Sequence, residues 1–191
     1  MEASILLFFQ DHVRCGFLTP IMEVFTWLVG FKGVFVIALA LLLIVIKKTR
    51  WVGISVATAV ALSGLFTNLI IKKIVDRPRP FTEIPGLTPI SEYPTDGSFP
   101  SGHTSLAFCL ATVLLLTLPW IIEKKKAHRL GALFLVIALV VGVSRLYLGV
   151  HYPTDVFCGI LLGIAYGIAA AAIVGAIKKR VMNPSKEEDS Q

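Results

Sequence analysis

Three stretches of this sequence, Trp51 to Ile71, Thr104 to Ile122 and Val156 to Ile177, run without a single charged residue. Each is about twenty residues long, enough for a helix to cross a hydrocarbon layer of roughly 30 Å. Lipid supplies no water to satisfy backbone polar groups, so continuous apolar runs of this length fold as helices. Two shorter charge-free runs, Gly33 to Ile46 and Leu130 to Ser144, are flanked by Lys32, Lys47, Arg129 and Arg145. Those cations can snorkel or sit in protein-lined space, so both runs also count as spans. With 55% hydrophobic and 16% charged residues among 191, the chain carries more apolar surface than one water-soluble core of its size can hide. The sequence therefore predicts an all-α integral membrane protein, a bundle of five to six transmembrane helices.

The N-terminal stretch is read differently. Residues 3–14 form a short helix ending near Gly16, and residues 17–29 another ending at Gly30. Glu23 interrupts the second, and a mid-bilayer carboxylate is costly without a partner, which favours an interfacial position over a sixth span. No cleavable signal is expected, because a charged n-region is missing and Asp11, His12 and Arg14 break the apolar run. A single membrane domain is expected over 1–182, with 1–30 as its interfacial or short membrane helices and 183–191, "NPSKEEDSQ", as a polar cytoplasmic tail. Cys15, Cys109 and Cys158 lack metal-ligand spacing and read as small packing residues.

The net charge of +6 is concentrated in three clusters: Lys47, Lys48 and Arg50; Lys124, Lys125, Lys126 and Arg129; Lys178, Lys179 and Arg180. They fall at alternate ends of successive spans, so the positive-inside rule places all three on the cytoplasmic face together. This accounts for the charge without a nucleic-acid partner, and no obligate protein partner is implied. The same alternation gathers the other polar residues on the extracytoplasmic face, among them Lys72, Arg77, Arg79, Ser101, His103, Arg145, His151 and Asp155. Cations concentrated on the face that the rule disfavours mark a site.

The residue types there suit an oxyanion. Lys72 and Arg79 bracket a helix end, with Pro78 and Pro80 holding extended backbone. "PSGH", Pro100 to His103, adds the Ser101 hydroxyl, the close backbone approach that Gly102 allows, and a helix N-terminus that favours negative charge. Arg145 contributes a planar fork that matches two oxygens of one phosphate. His103 and His151 titrate near neutrality. Pro153 opens a helix, so Asp155 lies in its first turn, where the carboxylate can reach a His151 ring nitrogen and leave the other free to attack. Taken alone, that pair fits a structural hydrogen bond equally well. A metallohydrolase would use His103, His151 and Asp155 as ligands, but the surrounding cations disfavour a divalent ion. No cofactor is expected.

Taken together, Lys72-x6-Arg79-Pro80, Pro100-Ser101-Gly102-His103 and Ser144-Arg145-x5-His151-x3-Asp155 resemble the three signature segments of the type 2 phosphatidic acid phosphatase superfamily of membrane lipid phosphatases. That family shares its site with vanadium haloperoxidases and glucose-6-phosphatase. The likeness covers roughly residues 30 to 180, with no motif position departing from the pattern. It implies a helical membrane bundle of that type and metal-independent hydrolysis through a phosphohistidine. By the same resemblance His151 is the nucleophile, Asp155 orients it and His103 is the general acid, while Lys72, Arg79, Ser101, Gly102 and Arg145 hold the phosphoryl oxygens. The expected substrate is a lipid phosphate or diphosphate held in a cell membrane with its phosphate outside. Undecaprenyl diphosphate ranks first, with phosphatidylglycerophosphate and phosphatidate as alternatives. A non-catalytic lipid-phosphate receptor or transporter would use the same cradle without needing both histidines and Asp155. The segment "FTEIPGLTPISEYPTDGS" is expected to cover the site and to help choose the headgroup.

Overall fold

The computed structural model describes residues 1–30 and 34–183; Lys32 and Gly33, expected at the start of a short span, and the tail beyond Asn183 lie outside the described residues. Helix α1 (Glu2–Phe8) continues into a wider turn over Phe9–Val13 and is followed by α2 (Leu18–Gly30) and α3 (Val34–Val45). Helix α4 (Arg50–Leu62) runs on through a wide-turn stretch, Ser63–Ile71, into α5 (Lys72–Val75). A short α6 (Pro80–Glu83) then precedes α7 (Gly102–Thr117), α8 (Lys124–Tyr147) and α9 (Pro153–Met182).

Four of these units are long and apolar enough to cross a membrane: Arg50–Glu83, Gly102–Trp120, Lys124–Tyr147 and Pro153–Met182. Helices α2 and α3 qualify only together, as a pair bent by 53°. The described helix α3 has 12 residues, about 18 Å against roughly 30 Å of hydrocarbon, so the run expected over 33–46 counts toward a span together with α2. Residues 17–29 become one arm of this broken unit. Their Glu23 accepts a hydrogen bond from Ser91, a partner that lowers the cost of the carboxylate.

At the centre is α7, packed against α8, α9 and α4. It lies close to α9 because Gly159, Gly163 and Gly167 recur one turn apart on the facing side. A Cβ at Gly163 would stand 2.4 Å from the Ser105 carbonyl oxygen, and one at Gly167 would stand 2.6 Å from Thr112 Cβ. Small residues at this spacing let helix backbones approach in lipid. Val52, Val56 and Ala59 of α4 close the core with Cys109 and Val113 of α7 and Ala170 of α9. Cys109 is fully buried, its thiol against the Ala59 carbonyl oxygen. Cys15, by contrast, is exposed, and its backbone amide rather than its thiol makes the contact, to the Tyr147 hydroxyl.

Because α7 and α9 start at the same end of the bundle, where α5 and α8 finish, four helix termini with different side chains meet there. Helix α1 joins them: Leu6 is completely buried beside Leu87 and Tyr152. Arg14 donates to the carbonyl oxygens of Tyr147 and Thr88, at 2.9 and 2.6 Å, which ties the N-terminal segment to the end of α8 and to the loop before α7.

Candidate active site

Each terminus delivers one piece. Lys72 opens the last turn of the α4–α5 rod, and the chain leaves it through Asp76 in a left-handed conformation, φ 39°. Pro78 and Pro80 then hold Arg79 extended, φ −74° and ψ 147°. Lys72, Arg79 and Arg145 are all at least nine-tenths buried, a placement that charges tolerate only with partners. The partners come from the covering loop. Asp96 bridges two of them, Oδ2 lying 2.6 Å from Lys72 Nζ and Oδ1 2.7 Å from Arg79 Nη2. Glu92 Oε2 lies 2.8 Å from Arg145 Nη2, and Arg145 Nη1 donates to Thr26 Oγ1 of α2. Arg145 Nε is buried without a hydrogen-bond partner among the described residues. Burial alone would raise the Asp96 pKa, but the hydrogen bonds from Lys72 and Arg79 prevail and bring it down to about 2. The carboxylate is thus charged throughout the neutral range.

His151 lies directly behind this bridge and is 1% exposed. Arg79 Nη1 is 3.1 Å from its Nε2 and also donates to the Val150 carbonyl oxygen. An arginine can only donate, so Nε2 accepts and the ring proton resides on Nδ1. Nδ1 faces Asp155 Oδ2 at 3.6 Å, a contact longer than a hydrogen bond. Burial, then the positive charges of Arg145, Arg79 and Lys72, push the imidazole pKa well below its ordinary value. His151 is therefore neutral near pH 7, with a lone pair on the nitrogen that faces the cations.

Asp155 is fully buried and does not reach the cavity. Its Oδ2 accepts from the Tyr152 amide at 2.9 Å, capping α9, and its Oδ1 accepts from Arg77 Nη1 at 2.7 Å. Ser101 is also completely buried and caps α7, its Oγ accepting from the Thr104 amide at 3.5 Å and from the Thr104 hydroxyl at 2.9 Å. Expected as a phosphate donor, Ser101 is not on the cavity wall. Gly102 and His103 are. A Cβ on Gly102 would stand 2.6 Å from Asn68 Oδ1, and one on Gly30 would stand 2.3 Å from His103 Nε2. The end of α2 is therefore seated over the His103 ring.

The cavity between these groups has a volume of ≈ 480 Å³. Its polar wall is Lys72, Arg79, Arg145, His103 and His151, and its apolar wall is Val29, Ile37, Val60, Gly64 and Leu106. Val60, Gly64, Asn68 and Lys72 succeed one another along a single rod, so the cavity follows that helix for on the order of 15 Å from the cations into the apolar part of the span.

Sequence reasoning did not assign Asn68, Arg77, Glu92 or Asp96 to the site. Asn68 carried a signal, an amide in an apolar run one turn before Lys72. Arg77 carried none beyond lying on the site's face, while Glu92 and Asp96 lie in the segment expected to cover the site. Among the described residues, no group of three or more His, Cys, Asp or Glu side chains has an arrangement that could hold a metal ion.

Two relatives share most of this chain. An undecaprenyl-diphosphatase of Sulfolobus acidocaldarius is 34% identical over 143 residues, covering 72% of this chain and 64% of its own length. A putative undecaprenyl-diphosphatase of Escherichia coli K12 is 35% identical over 157 residues, covering 81% of this chain and 65% of its own. The chain thus spans somewhat less than two thirds of either relative. Among solved structures, a transmembrane phosphatidylglycerolphosphate phosphatase from Bacillus subtilis superposes with a TM-score of 0.73 at 25% identity, covering 94% of this chain and 85% of that one. The model of the PAP2 superfamily matches residues 52–179, from α4 to the end of α9. With Lys72, Arg79, His103, Arg145 and His151 lining one cavity on a matching helical frame, the chain belongs to the PAP2 superfamily.

Proposed function

We propose that this protein is a membrane lipid phosphatase that works through a phosphohistidine on His151. One observation carries the proposal: an anion, the Asp96 carboxylate, already bridges Lys72 and Arg79 beside the His151 lone pair. A phosphoryl group of the substrate takes the place of that carboxylate. Arg79 then turns its donors to the phosphoryl oxygens and uncovers Nε2, and Arg145 Nε supplies a further donor. Nε2 attacks phosphorus as the bond to the leaving oxygen breaks. His103, on the cavity wall, protonates that oxygen. In the second half His103 takes a proton from water, the water oxygen bonds to phosphorus, the N–P bond breaks and inorganic phosphate leaves. The ring proton remains on Nδ1, facing Asp155. Fixed donors around the transferring group lower the barrier by stabilising its spread charge.

The apolar wall descending from Lys72 to Val60 fits the chain of a lipid whose phosphate stays at the cations. Undecaprenyl diphosphate is the first candidate, supported by the names of the two relatives; phosphatidylglycerophosphate is the second, supported by the likeness to the solved Bacillus subtilis phosphatase. The basic clusters at the opposite end support a site on the extracytoplasmic face. A cysteine at the exposed Thr95, in a background without native cysteines, should then react with an impermeant maleimide in intact cells; labelling only after lysis would contradict this. Purified protein should release phosphate from a panel of lipid phosphates, be inhibited competitively by vanadate, and keep its activity in EDTA. No release from any substrate, or loss in EDTA reversed by a divalent ion, would overturn the proposal.

A further inference from the structure

Arg77 and Glu2 belong to none of the signature roles, yet they form a dense ionic cluster next to the proposed nucleophile. Arg77 Nη1 donates to Asp155 Oδ1 at 2.7 Å and to Thr154 Oγ1 at 2.8 Å. Its Nη2 donates to Glu2 Oε2 at 2.8 Å, and the guanidinium lies over the Tyr152 ring, 3.8 Å from its centroid. Glu2 uses its other oxygen on α9, where Oε1 accepts from the Thr154 amide at 3.1 Å and from its hydroxyl at 2.7 Å. The Thr154 amide is one of the free N–H groups at a helix N-terminus. A residue of α1 thus caps the helix that carries Asp155.

The charges count in one direction. Arg77 by itself would neutralise Asp155 and leave no net negative charge on the Nδ1 side of His151. With Glu2 present, the set Glu2, Arg77 and Asp155 carries a net negative charge, and Asp155 Oδ2, which also accepts from the Tyr152 amide, is turned toward His151 Nδ1. A ring that bonds to phosphorus through Nε2 while keeping the proton on Nδ1 becomes positive. It needs that negative edge most in the transition state. Arg77 on Oδ1 and the Tyr152 amide on Oδ2 together fix the rotation of the carboxylate, which keeps Oδ2 toward the ring.

We propose that Arg77 and Glu2 are positioning residues for the reaction, a clamp that sets the orientation and net charge of Asp155 and, through it, of His151. The proposal rests on the reading of His151 as the nucleophile. It also gives the N-terminal helix a part in the chemistry, since Glu2 links α1 to the arginine that holds Asp155.

The test uses the full-length protein in detergent, with Glu2→Gln, Arg77→Gln, Arg77→Lys and the Glu2→Gln/Arg77→Gln double variant. His151 is also faced by Arg79 and Asp96 from the loop, Arg145 from α8, Lys72 from α5, His103 from α7 and Asp155 from α9. These stay constant across the series. Removing the Glu2 charge should lower the His151 pKa and removing the Arg77 charge should raise it, and the double variant should return toward wild type. An NMR titration of His151, assigned through His151→Gln, reads this without any turnover. For the substrate that wild type hydrolyses, Arg77→Gln should lose about ten- to hundred-fold in kcat with KM little changed, the range typical of groups that orient another. Arg77→Lys should recover part of it. Titrations that coincide with wild type, or a rise in KM with kcat intact, would reduce the clamp to packing and overturn the proposal. If wild type hydrolyses nothing on the panel but the titrations move in opposite directions, the phosphatase reading fails while the coupling of Arg77 and Glu2 to His151 through Asp155 stands.

Discussion

The two ends of the bundle are both basic, and they treat their cations in opposite ways. At one end Lys47, Lys48, Lys124 and Lys125 are exposed, and the ion pair Lys126–Glu123 is loose at 3.7 Å, its side chains 75% and 61% exposed. Lys178 lies against the Trp120 ring, 4.6 Å from its centroid. At the other end Lys72, Arg79 and Arg145 are buried, and each is held by a loop carboxylate at 2.6 to 2.8 Å. Exposed pairs are worth about 0–1 kcal/mol, whereas stripping a partner from a buried one costs about 3–5 kcal/mol. A fold keeps buried cations only where it supplies counter-charge, so this end is built around an anion. The exposed end needs only water.

The sharpest way to break this contrast is at His103. If it protonates the leaving oxygen, His103→Ala should cost about a hundred- to ten-thousand-fold on a lipid monophosphate and clearly less on an aryl phosphate, whose leaving oxygen needs no proton. Equal losses on both substrates would remove that role.

A smaller effect separates the buried cations from the carboxylates that cover them. Asp96 occupies the cradle of the free enzyme, so Asp96→Ala should lower KM about three- to ten-fold, relieving a closed state that taxes apparent affinity. Its pKa is held down at about 2. The carboxylate loses its charge only as pH falls toward 2, so the difference between variant and wild type should stay constant from about pH 5 to 9. A KM that is unchanged or raised would show Asp96 to be a support rather than a competitor. The smallest effect belongs to the far end. Lys125→Ala should leave kcat and KM within about twofold of wild type, as for surface substitutions generally.

Much of this was legible in the sequence, and the remainder has a physical cause. The charge-free runs marked α4, α7, α8 and α9, because lipid leaves the backbone little choice. The spacing of Lys72, Arg79, His103, Arg145, His151 and Asp155 marked a common face, and the structure brings them together. The repeat of Gly159, Gly163 and Gly167 was also present in the sequence and explains how closely α7 and α9 approach. The bend between α2 and α3 was not legible, since hydropathy does not report where a helix breaks. Nor were the contacts of Glu2, which joins Thr154 across 152 positions, or of Asp96 and Glu92, whose loop has no period. Ser101 shows the converse: its place in the motif suggested a ligand contact, while the helix end it caps holds it behind the wall.

The central claim is that His151 carries the phosphoryl group, and acid-labile phosphoprotein tests it most directly. An aryl phosphate labelled at phosphorus, mixed rapidly with enzyme and quenched in base, should leave label on His151. The label should persist longer in His103→Ala, which lacks the group that activates water, and be absent from His151→Ala. Label retained by His151→Ala, or mapped to His103, would contradict the account.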